Sequence, residues 1–438
     1  MIEIIPVGGY SEVGRNSVIV KYNDEAVMLD CGLKMEEYIE LSENDAIPDK
    51  KPKGTLMRNA AITNIKPVRE ELKNIKAVAV SHAHLDHVGA LPFLIDEIKA
   101  PIHATDFTIN VLKAQLEDKG KRFDDLHSHE SNSRFSVSEN IDLEFIHVKH
   151  STPQTVVIVV HTPDGSVVYA NEFRFDDTPL LGEKPNYEAL ENIENPKALI
   201  LDSLYVNKDR HTPSEVKAKE ELKEIIIEGN TKNKNIVVTT FASHLERIKS
   251  IVDVSKEVGR RPVFIGRSLA KYMDAAKDAG IIEFENQAGM VKSGGKVQNY
   301  FDNMKKTKDK VFITTGHQGE PKAILSRITD EDIFPFEEGD IVIFSSKIIP
   351  IEESYKNRAI LEEKLEKKGV KIYTDVHVSG HAARKDHKRL VELIKPEHLV
   401  PTHGDREMLE EFKDMTVSMG YDADNVHVLR NFNNLYLE

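Results

Sequence analysis

The sequence predicts an α/β protein that divides into two or three domains. A chain of 438 residues is longer than one ordinary hydrophobic core organises. Short apolar runs separated by Gly, Asn or Asp predict closely spaced strands in roughly the first 170 residues. From residue 198 onward, apolar runs alternate with helical segments, which indicates a parallel sheet covered by helices.

Several predicted strands of the first part end in polar, chemically active side chains. Residues 3–7, 17–21 and 26–30 predict a small β-meander, and the charged residues 34–67 predict a long loop near the site. The apolar run 77–80 precedes a histidine-rich loop and a helix. Further on we expect a strand at residues 101–104, a helix at 105–119 and a strand at 142–149. Residues 155–161 and 166–170 predict a hairpin. Because loops on a rigid sheet place polar groups, these strand ends predict a shared site.

The second part of the chain predicts a separate α/β unit. Its strands, each followed by a helix, are expected at residues 236–240, 262–265 and 310–314. Three later apolar runs, at residues 340–345, 371–374 and 398–401, are predicted to return to the first domain. We therefore expect three segments, the first and third forming one domain: residues 1–204, 205–345 and 346–438.

Charge and cysteine content restrict the class of protein. The formal net charge of −14 argues against a protein that coats nucleic acid generally, because such proteins are basic. A nuclease is still allowed, since bound divalent ions and a locally basic groove can hold a phosphate backbone. The single cysteine, Cys31, cannot form an internal disulfide, and no apolar run is long enough to cross a bilayer. The N-terminus lacks a signal-peptide pattern, so we expect a cytoplasmic protein without membrane contact.

The histidine-rich loop predicts a metal site. Three imidazoles and one carboxylate lie within six residues, at His82, His84, Asp86 and His87. A tight loop can aim them at two neighbouring divalent ions, and mixed nitrogen and oxygen ligands suit zinc, with manganese as the rival. A histidine-rich surface loop is the plainer alternative. The concentration of three of eighteen histidines beside a strand end favours the metal site.

This His-x-His-x-Asp-His pattern resembles the metallo-β-lactamase superfamily of two-metal hydrolases. The resemblance implies an αββα sandwich and seven metal ligands. One ion would be held by His82, His84 and His150. The other would be held by Asp86, His87 and His403, and Glu172 would bridge the two. A hydroxide shared by two such ions is a nucleophile at neutral pH, and the ions neutralise charge on a phosphodiester. Taken alone, His150 is better interpreted as a core or surface histidine, but its position at a strand end reverses that preference and favours the ligand role.

Other motifs resemble the β-CASP branch of that superfamily, which carries an inserted domain, and within it the ribonuclease J family of the compact archaeal type. They are spread over almost the whole chain and comprise Gly8-Gly9-Tyr10-Ser11-Glu12-Val13-Gly14-Arg15-Asn16, Gly266-Arg267-Ser268, Thr315-Gly316-His317-Gln318-Gly319-Glu320-Pro321, Leu325-Ser326-Arg327 and Asp375-Val376-His377-Val378-Ser379-Gly380-His381. The resemblance implies that residues 205–345 are the β-CASP domain and that residues 1–204 and 346–438 form the metallo-β-lactamase domain.

The ribonuclease J resemblance implies a metal-dependent exoribonuclease that degrades single-stranded RNA from a 5′-monophosphorylated end toward 3′, with some endonuclease activity. It allows a homodimer as the oligomeric state. Two other interpretations are open: an endoribonuclease of the mRNA 3′-end cleavage type, and a non-catalytic RNA-binding partner. Glu172 is the one feature that favours the non-catalytic interpretation, because the family usually has Asp at this position. The longer side chain predicts a second ion that binds more weakly or sits differently.

The ribonuclease J resemblance also implies catalytic and RNA-binding roles for residues at matching positions of this sequence. His381 is predicted to protonate the leaving 3′-oxygen, with Asp202 orienting it, and Asp86 is counted as catalytic as well as a ligand. The predicted RNA or phosphate contacts are His377, Ser379, Gly380, His381, Ser243 and Arg267. The last two lie at predicted helix starts, where free N–H groups and a guanidinium bind phosphate. Simple turn or helix-capping roles are the alternatives.

Overall fold

The computed structural model describes residues 1–43, 52–229, 231–284, 286–292, 294–304 and 308–438. These residues form two compact units. Unit 1 comprises Met1–Asp177, Lys184–Thr212 and Gly380–Glu438. Unit 2 comprises Thr178–Glu183 and Pro213–Ser379. Among the residues in these ranges, none of the helices has both the length and the apolar character needed to span a bilayer.

Unit 1 contains two sheets. The first sheet has the strand order β19-β1-β2-β3-β4-β5-β6, and its strands are β1 Ile2–Gly8, β2 Ser17–Tyr22, β3 Glu25–Leu29, β4 Ile75–Ala79, β5 Ile102–Ala104, β6 Leu126–Ser128 and β19 Leu435–Leu437. The second has the order β18-β11-β10-β9-β8-β7, with β7 Ser133–Ser136, β8 Asp142–His147, β9 Val156–Thr162, β10 Gly165–Ala170, β11 Pro196–Asp202 and β18 His398–Thr402. The antiparallel pairing of β1 with β2 and of β2 with β3 confirms the predicted meander.

The helices of unit 1 lie in the intervening segments and toward the C-terminus. They are α1 Met35–Glu43, α2 Lys53–Arg58, α3 Leu85–Val88, α4 Leu91–Ile98, α5 Asp106–Asp118, α6 Tyr187–Glu191, α13 Arg384–Ile394 and α14 Arg406–Ser418, with short 3₁₀ turns at Glu71–Asn74 and Ala423–Asn425.

Alternation along the strands builds four layers. Ile4 and Ile158 belong to one buried core shared by the two sheets, so the sheets pack face to face. The neighbouring Ile5 points to the other side, into a core formed with α2, α4 and α5. Val157, next to Ile158, joins a third core with α6, α13 and α14. Unit 1 is therefore the predicted αββα sandwich.

The predicted long loop at residues 34–67 is wrong for much of its length. Helices α1 and α2 occupy part of it, and Met35, Tyr38, Leu41 and Leu56 pack against the core below the first sheet. The three side chains of α1 that pack against this core recur every third residue, which is a helical spacing that the surrounding charges obscured. Residues 44–51 of the predicted loop lie outside the described residues.

Unit 2 is one parallel sheet with helices. Its strand order is β14-β13-β15-β12-β16-β17. The strands are β12 Ile236–Thr239, β13 Arg261–Ile265, β14 Gly289–Val291, β15 Lys310–Thr314, β16 Ile341–Phe344 and β17 Lys371–Tyr373. The helices are α7 Glu215–Lys223, which continues in a π turn at Glu224–Glu228, α8 Leu245–Glu257, α9 Arg267–Asp278, α10 Gly294–Asp302, α11 Ile324–Asp330 and α12 Glu352–Lys367. The parallel α/β unit predicted from the alternation of strands and helices is confirmed.

Two of the three strands predicted to return to the first domain do not return. β16 pairs with β12, and β17 pairs with β16, so both belong to the sheet of unit 2. Only β18 pairs with a unit 1 strand, β11. Unit 2 accordingly continues to Ser379, beyond the boundary expected at residue 345. Apolar strand patterns do not reveal which sheet a strand joins, because its hydrogen-bond partners are distant in sequence.

Candidate metal centre

The histidine-rich loop connects β4 to α3. His82 lies in the connection, His84 is the residue before α3, and Asp86 and His87 lie within that helix. The turn allows side chains of nearby residues to face one place, which a straight strand would not. His150 follows β8, Glu172 follows β10 and His403 follows β18, so the structure brings together all seven predicted ligands in unit 1.

Three histidines, His82, His84 and His150, form what we call the first ligand set. The Nδ1 atom of His84 lies 3.1 Å from Nε2 of His82 and 3.1 Å from Nε2 of His150. One oxygen of Glu172, Oε2, lies 3.1 Å from Nε2 of His82 and 2.9 Å from Nε2 of His150. These ligand atoms all lie within 4.8 Å of one another, which is the spacing of a metal coordination sphere.

The second ligand set comprises Asp86, His87 and His403. The other oxygen of Glu172, Oε1, lies 2.8 Å from Nε2 of His87 and 3.3 Å from Nε2 of His403. Oδ2 of Asp86 lies 3.6 Å from Nε2 of His87. With Glu172, this set also has one ligand atom per residue within a common 4.8 Å.

Glu172 lies between the two ligand sets, and each of its carboxylate oxygens faces one of them. The side chain is almost fully buried, and within the described ranges its Oε2 has no hydrogen-bond partner of good geometry. A buried carboxylate oxygen without a donor is costly, and a cation removes that cost. The residues present therefore suit divalent metal ions, and the longer Glu side chain does not carry the carboxylate away from either set.

Burial and neighbouring charges set the protonation of these side chains. Burial lowers the pKa of His150 to about 3 and that of His82 well below its usual value, so both imidazoles are neutral and free to bind a metal. Burial alone would raise the pKa of Glu172, but His87 and His381 hold it well below its usual range. Burial opposes protonation of His87, but the charges of Glu172, Asp86 and Asp30 raise its pKa. A bound cation would replace the extra proton on this imidazole.

Asp30 orients His87 and was not singled out as a functional residue from the sequence. Its buried carboxylate accepts hydrogen bonds from the backbone N–H of Ser81 at 2.7 Å, the Ser81 hydroxyl at 2.8 Å and the Tyr169 hydroxyl at 2.9 Å. His87 Nδ1 lies 2.6 Å from the same carboxylate, so its Nε2 is directed toward Glu172. Such outer carboxylates fix the tautomer of metal-binding histidines. Asp30 at the end of a predicted strand was the available signal.

Two further contacts orient ligand histidines. The backbone oxygen of Gly380 accepts a hydrogen bond from His150 Nδ1 at 2.8 Å. The structure thus places Gly380, predicted to contact phosphate, directly against the first ligand set. Asn16 Oδ1 lies 2.9 Å from His403 Nδ1. Neither contact was readable from the sequence, because the partners are 230 and 387 residues apart.

His381 and Asp202 are close together, as predicted. His381 Nδ1 lies 3.1 Å from Oδ2 of Asp202, which is buried at the end of β11. The His381 ring lies 5.1 Å from that of His150 and 5.8 Å from that of His403, between centroids, so it borders the metal centre. Burial opposes protonation, but Glu172 and Asp202 raise the pKa of His381 to about 9.

The other predicted RNA contacts lie in unit 2. His377 is mostly buried, and burial lowers its pKa to about 2, whereas Arg267 is exposed as the first residue of α9. Ser243 is buried, and α8 begins two residues later with His244 as its N-cap, so the capping role considered for Ser243 is wrong. Ser379 is the last residue of unit 2.

The chain matches three protein families in consecutive segments. Residues 10–227 match the metallo-β-lactamase superfamily, residues 233–362 the β-CASP domain of ribonuclease J, and residues 369–428 the Zn-dependent metallo-hydrolase RNA specificity domain. Together with the αββα sandwich and the two ligand sets, these matches define the class: a metal-dependent nuclease of the metallo-β-lactamase superfamily with a β-CASP domain.

Similarity to whole proteins identifies the family. Ribonuclease J of Methanocaldococcus jannaschii is 36% identical and aligns over 98% of this chain and 97% of its own length. Ribonuclease J of Pyrococcus abyssi is also 36% identical, over 96% and 94%, and that of Thermus thermophilus is 30% identical, over 95% and 71%. The crystal structure of a protein of unknown function from Enterococcus faecalis V583 shares the fold, with a TM-score of 0.66, 18% identity and full coverage of both chains. The chain belongs to the ribonuclease J family, which confirms the family predicted from its motifs.

Proposed function

We propose that this ribonuclease uses two divalent metal ions to hydrolyse single-stranded RNA exonucleolytically, from a 5′-monophosphorylated end toward 3′. The observation that carries the proposal is the pair of ligand sets that share Glu172, beside the His381–Asp202 pair. The names of the relatives support ribonuclease activity. The direction of degradation and the use of two ions are our extension.

The first ligand set would hold one ion, the second ligand set the other, and Glu172 would contribute one oxygen to each. Zinc suits the mixture of imidazole and carboxylate ligands, and manganese is the alternative. When bound, two such ions supply a water-derived nucleophile at neutral pH and neutralise charge on a phosphodiester. The protein's part is to hold the ligands rigidly, which Asp30 and Gly380 do for His87 and His150.

His381 is proposed to give a proton to the leaving 3′-oxygen. Its Nδ1 lies 3.1 Å from Oδ2 of the buried Asp202, so we assign the proton transfer to Nε2, the other ring nitrogen. The His381 side chain is 21% exposed, whereas the side chains of His82 and His150 are almost completely buried. An RNA chain therefore has access to His381 at the edge of the metal centre. Asp202 is a positioning residue that fixes the ring.

Selection of the 5′ end is proposed for residues in unit 2. Ser243, Arg267, His377 and Ser379 offer hydroxyl, guanidinium and imidazole donors, which suit a terminal phosphate. A fully buried arginine, Arg247, supports the segment that carries two of them, because it donates a 2.9 Å hydrogen bond to the carbonyl of Val376. Arg247 also pairs with the buried Glu215.

The experiment compares three RNAs with metal-loaded protein: a labelled 5′-monophosphate RNA, its 5′-triphosphate form and a circular RNA. Mononucleotides are expected from the monophosphate RNA and not from its triphosphate form. Cleavage of the circle without mononucleotide release from the monophosphate RNA would instead support an endonuclease of the mRNA 3′-end cleavage type. Binding of all three RNAs without products would contradict catalysis and establish an RNA-binding partner.

We predict that His84→Ala abolishes turnover of the monophosphate RNA and lowers metal content, because His84 lies within 3.1 Å of two other ligand nitrogens. His127→Ala is the matched control, since His127 is an exposed histidine of the same unit on β6. Normal metal content in His84→Ala would contradict the ligand assignment.

Ser243→Ala is predicted to spare internal cleavage and reduce the preference for a 5′-monophosphate over a 5′-triphosphate, because it removes one donor to the terminal phosphate. Rates on the two labelled RNAs give the ratio. An unchanged ratio would show that Ser243 does not contact the 5′ end.

A further inference from the structure

Asn16 is buried in the connection between β1 and β2 and touches the helix that carries two metal ligands. Its backbone N–H donates to the carbonyl of Asp86 at 2.9 Å, and its own carbonyl accepts from the N–H of Gly32 at 3.1 Å. The glycine-rich segment at residues 8–16 is thus tied to the ligand loop by main-chain bonds. Sequence similarity alone gave this segment no chemical role.

The Asn16 side chain reaches every member of the second ligand set. Oδ1 lies 2.9 Å from Nδ1 of His403. Nδ2 lies 3.3 Å from Oδ2 of Asp86 and 3.0 Å from Nε2 of His87. One uncharged amide therefore contacts three side chains that are 70, 71 and 387 residues away in sequence.

The hydrogen-bonding roles follow from the chemistry of the partners. An ionised Asp86 carboxylate only accepts hydrogen bonds, so the amide nitrogen of Asn16 faces it. The amide oxygen must then accept from His403, which places the proton of that imidazole on Nδ1. The lone pair of His403 is left on Nε2, the atom that lies 3.3 Å from Glu172 Oε1. This is the tautomer in which His403 can bind a metal through Nε2.

We propose that Asn16 is a positioning residue for the second metal position: it fixes the tautomer of His403 and the rotamer of Asp86 at once. The inference rests on the proposed two-metal function and assigns to the glycine-rich segment the task of shaping one of the two positions. The first ligand set has a different support, the carbonyl of Gly380 on His150. Loss of Asn16 therefore affects one ion and spares the other.

The absence of a side chain at Gly9 leaves space for the side-chain amide of Asn16. Gly9 has φ +88°, and a Cβ atom there would lie 2.7 Å from Asn16 Oδ1. The carbonyl of Gly9 accepts hydrogen bonds from the N–H of His403 at 2.7 Å and from the hydroxyl of Thr402 at 2.9 Å. Main chain and side chain of the segment thus hold His403 together, and the glycine is required by the close approach.

The test is a titration of metal-free protein with Co²⁺, followed by the visible absorption of the bound ion. Wild type is expected to bind two equivalents. Asn16→Ala is expected to keep the wild-type affinity for one equivalent and to bind the other about 10- to 100-fold more weakly, the usual effect of removing an outer-shell partner. A merely structural defect would weaken both equivalents and lower the thermal stability of the metal-free protein.

Asn431→Ala is the matched control. Asn431 contacts the same segment: it accepts from the N–H of Tyr10 at 3.1 Å and donates to Glu12 at 2.7 Å. Its hydrogen bonds within the described part of the chain go to these two residues and not to a candidate metal ligand. Two wild-type equivalents are expected for it. Equal affinities of Asn16→Ala and wild type for both equivalents would overturn the inference, and so would an equal loss at both. A wild type that binds fewer than two equivalents would instead overturn the proposed function.

A second measurement applies even if Asn16→Ala fails to fold. ¹⁵N labelling of histidine in wild type reports which ring nitrogen is protonated, with the His403 signal assigned by its absence in His403→Gln. The zinc-loaded protein is expected to carry the His403 proton on Nδ1. A proton on Nε2 would overturn the inference.

Discussion

Glu172 and Asp30 are two buried carboxylates with different positions at the candidate metal centre. Glu172 faces both ligand sets, one with each oxygen, while Asp30 lies behind His87 and accepts from its Nδ1. Four of the candidate ligands were predictable because they fall within six residues, and the other three were assigned through the family resemblance. Asp30 and Asn16 were not, because a side-chain hydrogen bond to a residue 57 or 387 positions away leaves no local pattern.

At this scale we predict that Asp30→Asn weakens zinc binding by about 10- to 100-fold. An amide in place of the carboxylate puts a donor where His87 Nδ1 now donates, so the imidazole is expected to move its proton to Nε2, the ligand atom. Competition with a chromophoric chelator measures the affinity. Asp24→Asn, in the exposed turn between β2 and β3, is the control. An unchanged affinity in Asp30→Asn would refute the orienting role.

At the scale of elements, strand ends and the turns after them place the site. The sequence predicted β1 to β3, the β9–β10 hairpin and the parallel strands of unit 2, because each carries a clear apolar run. It missed α1, whose apolar residues stand among many charges, and it assigned β16 and β17 to the wrong sheet. The period of an apolar run defines an element, but pairing depends on packing with distant segments.

Close packing between the turn after β3 and helix α3 gives a prediction for an element. A Cβ atom on Gly32 would lie 1.6 Å from the carbonyl oxygen of Asp86, so Gly32→Ala must displace α3 with Asp86 and His87. We expect Gly32→Ala to lose one metal equivalent or to fold poorly, measured by metal content and thermal unfolding.

The matched control is Gly295→Ala in helix α10. A Cβ atom at Gly295 meets nothing within 4 Å, and alanine is the better helix former, so this variant is expected to gain about 0.4–1 kcal/mol of stability. Normal metal content and stability in Gly32→Ala would contradict the close approach.

At the scale of the whole molecule, the chain forms two compact units and passes between them more than once. The sequence predicted a second α/β unit inside the first domain, but the unit continues through α12 and β17 to Ser379. The charged helix α12 and the short strand β17 lie between residues 345 and 379, and neither pattern shows which unit it joins. A homodimer and a cytoplasmic location stay predictions.

Stability is predicted to fall in acid because the buried imidazole of His317 is neutral. Burial, with the charge of Arg358, lowers the pKa of His317 from 6.5 to about 3. As pH falls below about 6.5, His317 binds a proton in the unfolded chain but not in the folded chain. The contribution of His317 to the free energy of unfolding is therefore present above that pH and is lost as pH falls toward 3. The contribution is at most roughly 1.4 kcal/mol per pH unit.

Urea unfolding of wild type and His317→Leu between pH 7 and pH 4 measures this loss. The difference in free energy of unfolding is expected to shift in favour of the variant as pH falls, since leucine does not titrate. Parallel curves for the two proteins would refute the assignment.

The central claim is that the seven clustered side chains bind two divalent ions. Anomalous diffraction at the zinc edge, from crystals of zinc-loaded protein, tests it most directly. Two peaks are predicted, one beside Glu172 Oε2 within the first ligand set and one beside Oε1 within the second. Peaks elsewhere, or fewer than two peaks at the centre, would contradict the account.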